Sequence, residues 1–300
     1  MPMQFKRASE FALPDLTQLW NRGYAGFFVP SQFTERQMAS FIWGSDIDLA
    51  HSVVALDGDV PAGFSLLGVR GRRGWIGGVG VADEYRGRRL GSAIFGEHMR
   101  MMCAETELAG IQLEVLVQNW AHKLYDRNGF ATTRRLSFLE GRLPEGRLPE
   151  GRPPEGTLPE GRAAAPGVSA GRPGAVLVHS ERLHAAWPAV WQREPDDLRR
   201  CVPPIERALW AGPAQAPHGY LLYSQHGREL WIADAAAGGS AALATLLLDA
   251  LTQMYPGFTV AIGDEPEGSP FHQALTALGC HESQARWEMH YTFARAQKHP

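Results

Sequence analysis

The stretch G-G-V-G-V-A-D-E-Y-R-G-R-R-L-G-S, from Gly77 to Ser92, constrains the chain more than any other. An apolar run ends at Val81, a turn dense in Gly and Arg follows, and the turn opens directly onto a helical pattern from Leu90 to Met99. A strand–turn–helix of this kind leaves the first amides of the helix without partners and puts the positive end of the helix dipole behind them. The turn is therefore a seat for a phosphate or diphosphate. Two common phosphate motifs are not met. No Gly-Lys-Ser/Thr follows the turn, which excludes a P-loop. Gly78 and Gly80 form a G-x-G, but Asp83 stands three residues on and the glycines precede the turn, which argues against a dinucleotide fingerprint.

Around this stretch the chain alternates clearly. Met3 to Ala8 reads as a strand, and Pro14, Leu16, Leu19 and Trp20 begin a helix directed toward Tyr24 and Phe27. Thr34-Glu35-Arg36-Gln37 is a capping box ahead of the apolar Met38, Phe41 and Ile42. Ser52–Leu56 and Gly63–Val69 read as strands joined by the turn Asp57-Gly58-Asp59, and Trp75–Val81 is the fourth strand. After the helix whose face is Leu90, Ile94, His98, Met101 and Met102 come a strand Ile111–Val117 and a short helix with Leu124 and Tyr125, closed by Gly129. A strand Phe130–Leu139 completes this part.

The motif V-x-x-x-x-R-G-x-x-L-G, set in the order β-α-α-β-β-β-α-β-α-β over about the first 140 residues, resembles the GNAT superfamily, the Gcn5-related N-acetyltransferases. The resemblance implies an α/β (α+β) fold, a mixed twisted sheet flanked by helices, and acetyl-CoA as acyl donor with no metal. In that family a Q/R-x-x-G-x-G/A loop holds the pyrophosphate on backbone amides. Arg86 matches its first position and Gly91 its last, while Arg89 stands where the middle glycine would be. Arg86, Gly87, Arg88, Arg89, Leu90, Gly91 and Ser92 are thus the expected diphosphate loop. The family also implies a thioester carbonyl polarised by a fourth-strand amide, at Val81 or its neighbours Val79 and Gly80, where the sheet splays. Gly78 and Gly80 are expected to leave room for the pantetheine. N-W-A-H-K-L-Y-D-R-N-G-F matches the segment whose tyrosine donates to the leaving thiolate, which makes Tyr125 the candidate acid and a cofactor contact.

Elementary chemistry supports that role, since a tyrosine (pKa ~10) is protonated at neutral pH and a thiolate (thiol pKa ~8.5) needs a proton. The alternative is a tyrosine packed on the core. Asn119 either binds the pantetheine arm or a water, or only caps the following helix. Between Trp75 and Val81 there is no carboxylate, so the general base is expected to act through water, from Glu114, Asp83 or Glu84, with His51 a further option. Two functions remain: N-acetyl transfer to a primary amine in a ternary complex, or an inactive acyl-CoA-binding or scaffold protein of the same fold. The family implies that the first helices and their loop set the acceptor; here they carry Trp20, Tyr24, Phe27, Phe28, Phe33, Phe41 and Trp43, which either form an acceptor wall or pack against the sheet or the second domain.

From Phe138 to Arg162 runs a pentapeptide repeat of the type L-P-E-G-R. A proline every five residues forbids helix, and residues 141–173 are expected to be a linker between a domain at 1–140 and a second at 174–300. In the second part, Val176–Val178 is expected to be a strand and Leu183–Leu209 to be largely helical. Strands at Tyr220–Tyr223, Glu229–Ala233 and Phe258–Ile262, helices at Ala241–Met254 and Ser269–Leu278, and a last strand at Arg286–Phe293 then repeat the second half of the first domain. Its Gly238-Gly239-Ser240 turn lacks arginine, and Leu275 stands in the place of Tyr125. A tandem chain with a degenerate second copy is the reading.

Composition sets the outer limits. With 300 residues, 44% hydrophobic and 20% charged, the chain can bury two cores. A net charge of -3 gives no general attraction to nucleic acid, although Arg70, Arg72, Arg73, Arg86, Arg88 and Arg89 are expected to gather around the phosphate seat. Three scattered cysteines indicate neither a disulfide framework nor a zinc site. No membrane-spanning apolar run and no leader-like h-region occur, so a cytoplasmic location and no membrane partner are expected, with a homodimer as one option for assembly.

Overall fold

The structure, a computed structural model, describes residues 3–28, 31–145, 163–201 and 203–293. The chain forms two compact units, one of residues 1–133 with 287–300 and the other of residues 134–286.

The first unit contains β1 (Gln4–Arg7), α1 (Leu13–Gly23), α2 (Glu35–Gly44), β2 (Val53–Asp57), β3 (Val60–Arg70), β4 (Arg73–Val81), α3 (Leu90–Glu105), β5 (Gly110–Leu116), α4 (Ala121–Arg127) and the start of β6 (Ala131–Arg142). The strands lie in the order β1-β2-β3-β4-β5, antiparallel except for the parallel pair β4 and β5 that α3 connects. Local chemistry explains the boundaries. Thr34 and Gln37 form the expected capping box on α2, and Gly58 takes the left-handed conformation (φ 61°) that the β2–β3 turn requires. Helix α1 stops at Gly23 and does not reach Phe27.

One face of this sheet packs on α3, where Leu67, Ile76, Phe95, Leu113 and Phe130 form a core. A buried histidine ties α3 to the sheet: His98 Nε2 lies 2.8 Å from the His51 carbonyl and Nδ1 2.6 Å from the Ser65 hydroxyl. A carbonyl only accepts, so Nε2 carries the proton and Nδ1 accepts from serine. Burial lowers the His98 pKa to about 4, keeping the ring neutral.

The second unit contains β7 (Ala163–Ala165), β8 (Val168–Gly171), α5 (Gly174–Leu177), α6 (Ser180–Leu183), α7 (Pro195–Arg200), β9 (Arg207–Ala211), β10 (Gly219–His226), β11 (Glu229–Ala236), α8 (Ala241–Met254), β12 (Thr259–Pro266), α9 (Pro270–Ala277) and most of β13 (His281–Thr292). Its strands run β6-β12-β11-β10-β9-β8-β7, and β11 with β12 is again a parallel pair bridged by a helix, α8. The duplication expected from the sequence is therefore present in topology.

Several expectations are corrected here. Residues 163–171, placed in a linker, form the paired strands β7 and β8, while 146–162 of the repeat lie outside the described residues. The first repeat unit, Phe138–Arg142, is the end of β6 and pairs with β12. Val176 is in α5, which Pro173 starts, and not in a strand. The described part of residues 183–209 is mostly irregular: Pro188, Pro203 and Pro204 interrupt any longer helix, Pro195 starts only the short α7, and the segment ends in the unforeseen strand β9.

The larger difference is where the final strand of each copy resides. The chain leaves the first unit within β6 and re-enters it at Trp287 within β13, so that Trp287–Thr292 lies beside β5 while residues 134–142 of β6 lie beside β12. The expected second domain, 174–300, therefore gives its last residues to the first unit. There Met289 is fully buried, and Trp287, Tyr291 and Phe293 pack on the same core. Phe293 N–H donates to the Ala109 carbonyl (3.1 Å) and Thr133 Oγ1 to the Glu288 carbonyl (3.2 Å).

Met289→Ala should lower the stability of the first unit by ~2–5 kcal/mol, read as a lower urea midpoint. Stability should also depend on pH through His98. Because its folded pKa (about 4) lies below its ordinary value of 6.5, its contribution is complete above pH 6.5 and is lost as pH falls toward 4. The loss amounts to ~3 kcal/mol, and His98→Gln should remove that part of the pH dependence in urea titrations.

Candidate active site

The ladder between β4 and β5 has three rungs, Arg73–Gly110, Gly74–Ile111 and Trp75–Gln112. Beyond Trp75 no further rung joins the two strands among the described residues, so Ile76–Val81 and Leu113–Leu116 bound a fork. A bulge in β4 sits at its root: pairing with β3 shifts between Leu66–Gly78 and Leu67–Ile76, leaving Gly77 as the extra residue. The extra residue turns the strand over. Before it, Trp75 faces α2, its ring 6.1 Å from Phe41, and Ile76 faces α3. After it, Gly78 and Gly80 face α1, while Val79 and Val81 pack toward α3.

The glycines serve that packing. A Cβ on Gly78 would lie 2.8 Å from the Trp20 ring and 3.0 Å from the Tyr24 hydroxyl, and one on Gly80 would lie 2.5 Å from Phe64. They let α1 rest directly on β4, rather than clearing a path for a pantetheine as expected. Above them Trp20 stacks on Phe33 (4.9 Å, 7°) and contacts Tyr24, Phe41 and Phe64, so most of the expected acceptor-side aromatics are one packed cluster.

At the open end of β4 the chain makes the turn expected from the sequence to be a phosphate seat. Gly87 (φ 76°) and Arg89 (φ 61°) are both left-handed. Arg89, in place of the family's middle glycine, therefore keeps the glycine geometry at a conformational cost of ~1 kcal/mol. Arg89 is also the N-cap residue just before α3, and its side chain gives no capping hydrogen bond. The first amides of a 16-residue helix thus lack a side-chain cap beside a turn that contains two left-handed residues, a geometry of the kind that can accept an anion. Leu90 is buried beneath the turn, Gly91 and Val81 are neighbours, and Ser92 is exposed.

The arginines divide between two tasks. Arg86 turns inward: Nε donates to the Val81 carbonyl (3.0 Å), Nη2 to the carbonyls of Gly23 (2.9 Å) and Ala25 (2.8 Å), and Nη1 to Asp83 (2.9 Å). It satisfies the C-terminal carbonyls of α1 and ties that helix to the turn. Arg88 and Arg89 are exposed and have no polar partner among the described residues. Arg70, Arg72 and Arg73 lie at the opposite end of β4, roughly 26 Å along the strand, where Arg70 pairs with Asp46 and Arg72 with the Glu107 carbonyl. They do not surround the turn.

Tyr125 is 7% exposed, its ring edge-on to Phe95 (5.0 Å). Burial raises its pKa and the nearby Tyr24 adds to the effect, so the hydroxyl stays protonated. The hydroxyl of Tyr24, which the sequence placed among acceptor-side aromatics, lies over Gly78. Glu114 lies on β5 just past the last rung, and its Oε2 accepts from the Trp75 indole (2.8 Å) across the fork. Glu84, by contrast, is exposed and bonded to Arg22; hydrogen bonding to its own backbone amide and to Arg22 lowers its pKa. His51 pairs with Asp48 (2.7 Å). Asn119 accepts from the Ala121 amide (2.9 Å), which is the capping arrangement.

The second unit carries the same framework in closed form. Pairing of β11 with β10 shifts between Tyr223–Ile232 and Leu222–Asp234, which makes Ala233 the extra residue, and the β11–β12 ladder ends at Ile232–Ile262. Arg193, 5% exposed, fills the fork beyond it. Its guanidinium donates to the Ala235 carbonyl on β11 (3.3 Å), the Asp264 carbonyl on β12 (3.3 Å), Asp234 (2.9 Å) and Glu265 (2.6 Å). Asp234 also bonds His184 (3.1 Å). Burial opposes the charge on both, but their mutual attraction outweighs it for His184, whose pKa is raised, and with Arg193 holds Asp234 well below the carboxylate range. The helix that follows is capped by its own Ser240, which accepts from the Leu243 amide, and Leu275 is buried where the first unit has Tyr125.

Residues 48–132 match the family model described as the acetyltransferase (GNAT) domain. The fold as a whole is similar to three solved structures. A GCN5-related N-acetyltransferase from Anabaena variabilis is 16% identical (TM-score 0.63; 97% of this chain and 73% of that one covered). One from Sphaerobacter thermophilus is 14% identical (TM-score 0.57; 97% and 95%). A tandem GNAT protein from the clavulanic acid biosynthesis pathway is 12% identical (TM-score 0.58; 99% and 100%). No curated protein sequence matches the chain. Among the described residues no helix is long and apolar enough to cross a membrane, and no three His, Cys, Asp or Glu side chains are grouped to hold a metal.

Arg89→Gly should relieve the left-handed backbone and raise stability by ~1 kcal/mol in thermal melts. Arg86→Ala should lower stability instead, because it strips carbonyls at the end of α1 of their donor.

Proposed function

Since residues 48–132 belong to the GNAT acetyltransferases, we propose that the chain is an N-acetyltransferase that moves an acetyl group from acetyl-CoA to a primary amine by direct attack in a ternary complex. The observation that carries this reading is the juxtaposition of the β4–β5 fork with the uncapped start of α3. The amides from Gly87 to Ser92 hold the diphosphate, with Arg88 and Arg89 supplying charge, and Arg86 keeps the turn in shape. The pantetheine follows the fork, and an amide among Val79, Gly80 and Val81 donates to the thioester carbonyl, more strongly as that oxygen gains charge.

As the amine attacks, a carbon–nitrogen bond forms and the carbon–sulfur bond breaks. The amine's proton leaves through water to Glu114, which Trp75 fixes in place, and the departing thiolate takes up a proton. Tyr125, kept protonated by its burial, donates to that sulfur as charge develops and is reprotonated through water by the proton that Glu114 took from the amine, which leaves Glu114 ionised again. Glu84, engaged with Arg22, serves the turn and not the proton transfer. The second unit, with Arg193 in its fork, takes no donor.

Calorimetry should find one acetyl-CoA bound per chain, and thiol release should follow with at least one member of an amine panel. Tyr125→Phe should lower kcat by at least ~10² while leaving acetyl-CoA affinity nearly unchanged. Unchanged turnover would remove Tyr125 from the reaction, and saturable binding with no release for any amine would make the chain a binding protein.

A further inference from the structure

The two units treat the corresponding tryptophan oppositely. Trp75 and Trp231 each stand two residues before the bulge residue of their strand, Gly77 and Ala233. In the first unit Trp75 is 3% exposed beneath α2. In the second, Trp231 is 45% exposed and forms one wall of an open cleft of about 700 Å³. The side chain of Phe138 and the face of Gly263 continue that wall, both within van der Waals reach of one another. The volume falls within the range of small-molecule sites.

The charges lining the cleft are unequal. Arg193 at its floor already meets Asp234 and Glu265, and Asp264 meets Arg286 (3.0 Å). Glu140 lies 3.5 Å from His281. Glu229 has no polar partner among the described residues, and it stands two residues from Trp231, on the same face of β11. His226 stands opposite Glu229 in the register. An aromatic wall beside an uncompensated carboxylate suits a cation with an apolar body.

We propose that this cleft binds a small primary amine with an aromatic body, and binds it without chemistry, because Arg193 closes the fork through which an acyl donor would have to reach it. The binding is independent of transfer by the first unit, so no acyl donor is needed to observe it.

The test is titration calorimetry of the full chain at pH 8 with phenethylamine, in the absence of acetyl-CoA. Saturable binding with a Kd below about 1 mM is expected, weakened at least about fivefold in Trp231→Ala and in Glu229→Gln, and largely kept in Trp231→Phe. 2-Phenylethanol, which lacks the charge, should bind at least about fivefold more weakly. Both positions are exposed, so the variants should fold, and a circular dichroism melt checks this. Affinity unchanged in both Trp231→Ala and Glu229→Gln overturns the proposal, as does the absence of saturable binding up to about 10 mM. Loss of acetyl-CoA binding or turnover would bear on the first unit alone.

Discussion

A pair of parallel strands that come apart inside a sheet leaves main-chain groups that must find other partners, because buried amides and carbonyls are rarely left alone. Both units are built around such a parting, rooted in one extra residue, Gly77 in β4 and Ala233 in β11. They answer it differently. In the second unit a single guanidinium, that of Arg193, bonds to carbonyls on both diverging strands and is held in turn by two carboxylates. In the first, the parting opens beside a helix that begins without a side-chain cap. One fork holds a side chain of its own; the other is the one proposed to take a ligand.

The bulge also explains the glycines. An uninterrupted strand would carry Ile76, Gly78 and Gly80 on one face. The extra residue puts Ile76 on the α3 side and brings Gly78 and Gly80 under α1, where Trp20, Tyr24 and Phe64 leave no space for a Cβ. That close contact fixes the end of α1, and Arg86 then binds the carbonyls of Gly23 and Ala25 at the same end. The turn before α3, the first helix and the fork are thereby one mechanical assembly, and Arg86 is its fastening.

Much of this was legible from residues read in order. The strand–turn–helix at Gly77–Ser92, the capping box at Thr34 and the hairpin at Gly58 depend on local spacing, and local spacing survives folding. What depends on distant partners was not legible. Arg86 looks like a phosphate ligand until α1 is seen to end against it, and Tyr24 looks like one more aromatic until its hydroxyl is found by Gly78. Arg193 gave no local signal, since its meaning lies in strands 40 to 70 residues further along. The Gly77-Gly78 pair was the one available hint of the bulge, because glycine inside a strand commonly marks such an irregularity.

The placement of Trp287–Thr292 in the first unit has a consequence for biosynthesis. While the chain emerges from the ribosome, the sheet that carries the fork lacks the strand beside β5 until the whole of the second unit has been made. Phe130 and Leu113 stay partly uncovered through that interval, and an N-terminal unit that would otherwise fold first must wait. Ribosomal delay between the two halves thus lengthens the time an incomplete sheet edge is open to mispairing with other nascent chains.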